Sequence, residues 1–491
     1  MWRRILRQFS TKVKPKNLRL ESISPKVIRA EYAVRGDVVL KSMEMEAKLK
    51  DGVKYPFTEI IPCNIGNPQS LGQNPLTFVR EVLSLIVNPK LLTLPGISQI
   101  YASDVIERAQ ILLNGTTGGV GAYTMSQGLP VVRNSIAKFI EKRDEMGEVD
   151  PNNIYLTSGA SGAVEFLFKI IISSEKDGVL VPIPQYPLYN ALIALQGGSD
   201  VGYYINSSKG HWEVSIKEME KALEASKLKG IRTRCLVVIN PGNPTGQVLR
   251  KENMRQVIEF CDEHDLMLIA DEVYQHNIYT DSTQFHSFKK VSQEMNSPIE
   301  IASLNSISKG YHGECGLRGG YMELHNFETQ VKDQILKLAS ISLCSNSVAQ
   351  CAMELMVNPP QPGSPSYDTY TAEKNAIMGA LKRKSQLIHK LLNEMVNVQC
   401  NFVEGAMYAF PEVKFSAKAI REAKKKNMPV DKFYVFRALE ETGIVLVPGS
   451  GFGQRPDTYH FRITTLVQED KLIDLLNRFK AFNDNFHNLY S

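Results

Sequence analysis

The sequence contains no apolar run of the ~18–20 residues that would carry a helix across a bilayer, so a membrane-spanning protein is not expected. It also lacks any Cys-x-x-Cys pair. Its seven cysteines (63, 235, 261, 315, 344, 351 and 400) are odd in number and scattered, which argues against a disulfide framework or a zinc site. No metal ligand set is expected, and the thiols read as small buried hydrophobes in a reducing compartment. Acidic residues are missing from the first twenty positions, which hold seven lysines and arginines. The net charge of +5 therefore leaves −2 for residues 21–491, too little positive charge for a nucleic-acid surface in the body. Internal repeats and low-complexity tracts are absent as well.

What is present begins with that acid-free start, "MWRRILRQFSTKVKPKNLRL". Trp2, Ile5, Leu6 and Phe9 fall at i, i+3, i+4, i+7 with arginines opposite, the pattern of a mitochondrial targeting segment over residues 1–20. Arg7-Gln8-Phe9 before Ser10-Thr11 is similar to a matrix-protease cleavage site. The matrix is the expected location, with the cytosol as the alternative. At 491 residues the chain exceeds what one core usually organises, so two subdomains are expected. The proposed division is an N-terminal arm with part of a small domain over 21–113, a large domain over 114–356, and the rest of the small domain over 357–491.

Within the large domain, "NIYLTSG", "GVLVPIP", "RCLVVINP", "LMLIADE" and "EIASLNS" read as buried strands, short, rich in Val, Ile and Leu, and ending in polar residues. Amphipathic stretches such as "GAVEFLFKIIISS" and "KENMRQVIEFCDEH" fall between several of them. This alternation predicts an α/β fold with a mainly parallel sheet covered on both faces, beside a smaller α+β domain. A Pro-rich link, "VNPPQPGSPSYDTY" (357–370), breaks the pattern before a long helix expected over 371–393.

In such sheets ligands gather at the carboxyl ends of the strands. Four strand ends here carry polar words. "TSGASGAVEF" opens a helix with Gly159, Ala160, Ser161 and Gly162, offering free N–H groups and a hydroxyl to an anion. "NPGNPTG" fixes a tight turn that projects the Asn243 amide. Asp271 closes an apolar run, placed to cap the next segment or to pair with a buried cation, and Tyr274 follows three residues on. "SLNSISKGYHGECGLRGGY" sets Lys309 among Ser306 and Ser308, with Arg318 nine residues later. A lysine amine turns nucleophilic near neutral pH only where desolvation or a nearby cation suppresses its proton, and a strand-end crevice supplies both.

These four words, in this order and spacing, resemble the fold-type I pyridoxal-phosphate aminotransferases. Further stretches extend the likeness from about Lys54 to the C-terminus and narrow it to the alanine aminotransferase family: "YPFTEIIPCNIGNPQ", "GAYTMSQG", "PIPQYPLY", "PGSPSYDTY", "EGAMYAFP" and "VPGSGFGQ…YHFRITTL". His312 departs from the apolar residue that the resemblance leads one to expect.

The resemblance implies pyridoxal 5′-phosphate as cofactor, bound by Lys309 as a Schiff base, with Lys309 also the proton carrier. Asp271 would keep the pyridine nitrogen protonated, Asn243 and Tyr274 would bond the ring oxygen, and Tyr186 would stack on the ring. Ala160, Ser161, Ser306 and Arg318 would hold the phosphate, joined by Tyr123 from the other subunit of a homodimer. Gly66 and Arg462 would hold the substrate α-carboxylate, with Asn243 beside them. The implied reaction moves an amino group between L-alanine and 2-oxoglutarate, giving pyruvate and L-glutamate. A glutamate–glyoxylate or broader aminotransferase, an α,γ-eliminating enzyme on the same scaffold, and an inactive paralogue stay open at this point. No second arginine is assignable to the distal carboxylate of glutamate.

Overall fold

The structure, a computed structural model, describes residues 18–32, 36–208 and 210–491, so all but the last three positions of the expected targeting segment lie outside the described residues. The five expected strands belong to one seven-stranded sheet. In chain order its members are β1 (Ile154–Ser158), β2 (Asp177–Ile183), β3 (Ser199–Tyr204), β4 (Arg232–Ile239), β5 (Met267–Asp271), β6 (Ile301–Ser306) and β7 (Gly319–His325). Their spatial order is β1-β7-β6-β5-β4-β2-β3. β7 runs antiparallel between β1 and β6, and the other neighbours pair in parallel.

Alternation along the strands divides the core between the two faces of the sheet. Val179, Val237, Ile269 and Leu304 point to one face and meet Ala163, Leu167 and Phe168 of helix α2 (Gly159–Ile171). Leu180, Leu236, Val238 and Leu268 point to the other and meet Met219 and Leu223 of α3 (Ile216–Leu228) and Met254, Val257 and Cys261 of α4 (Lys251–Glu263). Both faces are dry, which is why these strands read as continuous apolar runs. All seven cysteines are free and five are buried. Burial pushes the Cys235 thiol up to about 12, as expected of an inert core residue.

Beyond the Pro-rich link, α6 (Tyr367–Asn393), α7 (Val430–Thr442) and α8 (Glu469–Leu489) pack around a three-stranded sheet. Its strands are β8 (Tyr408–Ala409), β9 (Val447–Pro448) and β10 (Phe461–Thr464), in the order β8-β10-β9. Val38, Met45, Phe57 and Ile61 join the same apolar cluster as these helices. Residues between Leu76 and Leu112 share a different cluster, with α1 (Pro130–Asp144) and α5 (Ser347–Val357). No helix among the described residues is long and apolar enough to cross a membrane.

Candidate active site

The carboxyl ends of β1, β4, β5 and β6 open into a cavity of about 490 Å³. Eleven of the twelve residues expected at the site line it: Gly66, Ala160, Ser161, Tyr186, Asn243, Asp271, Tyr274, Ser306, Lys309, Arg318 and Arg462. The twelfth, Tyr123, lies outside it and is 78% exposed.

At one end is an anion cradle. Gly159 enters α2 with φ +72°, and the Arg318 guanidinium lies where a side chain would be; an added Cβ would come within 2.4 Å of Arg318 Nη2. That approach lets Nη2 donate to the Ser161 hydroxyl at 3.1 Å and to the Ser158 carbonyl at 3.3 Å. Arg318 Nη1 reaches the Ser308 hydroxyl at 3.4 Å, and Ser308 is bonded in turn by Ser306 at 3.0 Å. An exposed guanidinium, two serine hydroxyls and a helix N-terminus thus converge without a carboxylate among them, which fits a phosphate.

Asp271 forms the floor. It is 7% exposed, and the Tyr189 hydroxyl donates to its Oδ2 at 2.6 Å. Burial raises the carboxyl above its ordinary range, while Tyr189, the Val273 amide and Lys309 oppose that rise. No lysine or arginine makes an ion pair with it among the described residues. A buried acid with only neutral donors, the Tyr189 hydroxyl and the Val273 amide, suits a cationic ring nitrogen as partner.

Lys309 follows β6 and donates to the Gly66 carbonyl at 3.2 Å, with its ammonium 5.7 Å from the Tyr274 ring centre. Gly66 has no room for a side chain, because a Cβ would lie 2.1 Å from the Tyr408 hydroxyl. Tyr274 and Tyr408 meet edge-on with centroids 6.4 Å apart. Burial pushes the Tyr408 phenol up, but Lys309 and Arg462 outweigh it and hold the group below its ordinary value. Tyr274, without that balance, is driven well above.

Arg462, on β10, closes the other end. It is 1% exposed and stacked between Tyr408 and Phe452, 4.0 and 4.7 Å from their ring centres. Its Nη1 donates to Asn243 Oδ1 at 3.0 Å and Nη2 to the Asn64 carbonyl, while Nε has no partner. No acid within ion-pair distance balances this buried guanidinium among the described residues, so it is an incomplete ion pair that a substrate carboxylate completes.

Sequence reasoning missed Tyr189, Tyr408 and Tyr32. The first two sit inside quoted words, "PIPQYPLY" and "EGAMYAFP", but only the fold shows that they touch Asp271 and Arg462. Tyr32 belongs to the N-terminal arm, its hydroxyl 2.6 Å from that of Tyr186; nothing in its local sequence signals this. His312 lies outside the cavity, buried against Tyr311 at 4.3 Å with neither ring nitrogen bonded, and burial pushes it well below its ordinary value. It is a neutral packing residue.

A strand-end lysine, a buried acid, an anion cradle and an unpaired buried arginine define one class of enzyme. The chain belongs to the aminotransferase class I and II family, whose model matches residues 97–479. It is 49% identical to the mitochondrial alanine aminotransferase 1 of Arabidopsis thaliana, over 95% of this chain and 87% of that protein. Against alanine aminotransferase 1 of Homo sapiens it is 45% identical, over 98% of this chain and 97% of the relative. Among solved structures, alanine aminotransferase from Pyrococcus furiosus superposes with a TM-score of 0.74 at 25% identity, covering 94% of this chain and all of that one.

Proposed function

We propose that the protein is an alanine aminotransferase that uses pyridoxal 5′-phosphate to exchange an amino group between L-alanine and 2-oxoglutarate. The observation that carries this is the meeting of Lys309, Asp271 and Arg462 in one cavity beside the Arg318 cradle. The names of the relatives support the choice of alanine.

When bound, the cofactor supplies an aldehyde to take the amine and a cationic ring to withdraw electrons from Cα. Arg318, Ser161, Ser306 and the Ala160 amide would hold its phosphate. Asp271, oriented by Tyr189, would keep the ring nitrogen protonated, while Asn243 and Tyr274 would bond the ring oxygen and Tyr186 would cover the ring. Arg462 and the Gly66 backbone fix the α-carboxylate, which orients the Cα–H bond toward the Lys309 amine. The Lys309 amine would accept that proton and return it. Groups from before residue 70 and after residue 400 share one small substrate with the sheet, so closure of the small domain over the large one accompanies binding. The division into 21–113, 114–356 and 357–491 belongs to this proposal.

The enzyme acts as a homodimer in which Tyr123 of each chain completes the other's phosphate site. Tyr123, Met125 and Ile341 are exposed, and their segments meet where the Thr124 amide donates to Cys344 Sγ at 3.5 Å, which supports a partner on this face. The mitochondrial matrix is the proposed location, supported by the basic start and by relatives named mitochondrial.

The direct test is a half-reaction. Alanine added to the holoenzyme should convert the absorbance of the pyridoxal form to that of the pyridoxamine form, with pyruvate released in equal amount. 2-Oxoglutarate should reverse it. Lys309→Ala should take up cofactor yet convert none. No spectral change with alanine, or turnover by Lys309→Ala, would refute the assignment.

A further inference from the structure

A second cavity, larger at about 780 Å³, is unused by this chemistry. The chain segments that build the active site also build its wall. Gln275 and His276 come directly after Tyr274, and Tyr311 comes two residues after Lys309. Opposite them α1 presents Lys138, Phe139, Lys142 and Arg143, spaced to share one helical face. The rim is the Pro-rich link, through Asn358, Pro359 and Gln361, and Lys374 enters from α6. The link was the one conspicuous sequence feature for which catalysis gave no use.

The charge is one-sided. Four cations line the cavity and no aspartate or glutamate does. Arg143 is matched by Asp144 at 2.7 Å, and Lys138 reaches Glu141 at 3.2 Å on the exterior. Lys142 and Lys374 have no acidic partner among the described residues, and Lys374 stands 5.2 Å from the Tyr311 ring centre. Exposed lysines alone would mean only a solvated surface. Here they rim an aromatic recess in which His276 lies between Phe139 and Tyr311, at 6.1 and 5.6 Å. The buried Nε2 of His276 has no hydrogen-bond partner. Burial, reinforced by Lys374 and Arg143, lowers that imidazole to about 4, so it is neutral and free to donate or accept. The volume lies in the range of small-molecule sites.

We propose that this cavity binds a nucleotide, the base against Phe139, His276 and Tyr311 and the phosphate on Lys142 and Lys374, and that its occupancy is felt at Lys309. Aromatic rings inclined to one another, with one free polar nitrogen, suit the edge of a heteroaromatic base, and unpaired ammonium groups at the mouth suit a phosphate. The connection to the active lysine is short. Tyr311 accepts a hydrogen bond from Tyr370 at 3.2 Å, and the Gly310 amide donates to Asn277 Oδ1 at 2.8 Å, which ties the lysine loop to the cavity wall. The inference goes beyond amino transfer and does not depend on which amino acid the enzyme takes.

The test uses the holoenzyme, whose cofactor already fills the Arg318 cradle, titrated calorimetrically with AMP, ATP, adenosine and inorganic phosphate. AMP or ATP should bind saturably at one site per chain, more tightly than adenosine or phosphate, and should change kcat. The double variant Lys142→Ala/Lys374→Ala should keep the kcat and Tm of the unliganded enzyme. Its nucleotide affinity should fall by about tenfold or more, the scale of losing charge-assisted contacts. The proposal is overturned if nucleotides do not saturate the protein at millimolar concentration, or if phosphate alone binds as tightly as AMP. It is equally overturned if the double variant binds normally, or if binding leaves kcat unchanged.

Discussion

Arg462 carries a formal charge at 1% exposure, and the groups that hold it, an amide oxygen, a backbone carbonyl and two aromatic faces, are all neutral. Burying such a cation costs several kcal/mol unless an anion arrives, so the free enzyme holds a site whose electrostatic balance the substrate restores. The planar fork matters as much as the charge, because two parallel N–H bonds fix the direction of a carboxylate and hence of Cα–H. Arg462→Lys keeps the charge and loses the fork. We expect kcat/KM for alanine to fall by roughly ten- to a hundredfold, the equivalent of about 1.5–3 kcal/mol, with the cofactor still bound. Steady-state kinetics beside a cofactor absorbance titration would check it; near-normal kcat/KM would mean the carboxylate is held elsewhere.

At the scale of elements, the junction from β1 into α2 makes the phosphate cradle, and it works because its first helical residue lacks a side chain. Gly159 sits at φ +72°, where Ala is strained by about 1 kcal/mol or more, and its missing Cβ is the space Arg318 occupies. Gly159→Ala should therefore displace the guanidinium and weaken cofactor binding about tenfold or more, read by titrating the apoenzyme with pyridoxal phosphate. Unchanged affinity would show that Arg318 is not a phosphate ligand. The junctions were legible in the sequence because their strands are dry on both faces and stop abruptly at polar residues. β3 and β7 escaped. "SDVGYY" is half-exposed at the sheet edge, and "GGYMELH" begins with two glycines that suggest a loop, one of which packs on Gly159. The two-residue strands β8 and β9 carry too few residues for any periodicity. α6 starts at Tyr367, four residues before the expected Thr371 and inside the Pro-rich link. Eight of the eleven lining residues stand out in the strand-end words, and Gly66, Tyr186 and Arg462 come only from the resemblance. The contacts between words, Tyr189 on Asp271 and Tyr408 over Arg462, come from separate segments that only folding brings together.

For the molecule as a whole, the proposed dimer turns on whether Tyr123, exposed and outside the cavity of its own chain, serves that chain or its partner. A tyrosine that serves the cavity of its own chain should line it, and this one does not. If Tyr123 serves across a twofold axis, two crippled enzymes can repair each other. A Lys309→Ala chain has no working lysine but lends an intact Tyr123; a Tyr123→Ala chain has the lysine and needs the tyrosine. Each mixed dimer then holds one complete site, and random exchange makes half the dimers mixed, so activity should recover to about a quarter of wild type. The assay belongs at a pyridoxal phosphate concentration where the Tyr123→Ala homodimer is largely without cofactor, after subunit exchange in mild denaturant. If Tyr123 acted within its own chain, every lysine-bearing site in the mixture would lack it, and mixing would restore nothing.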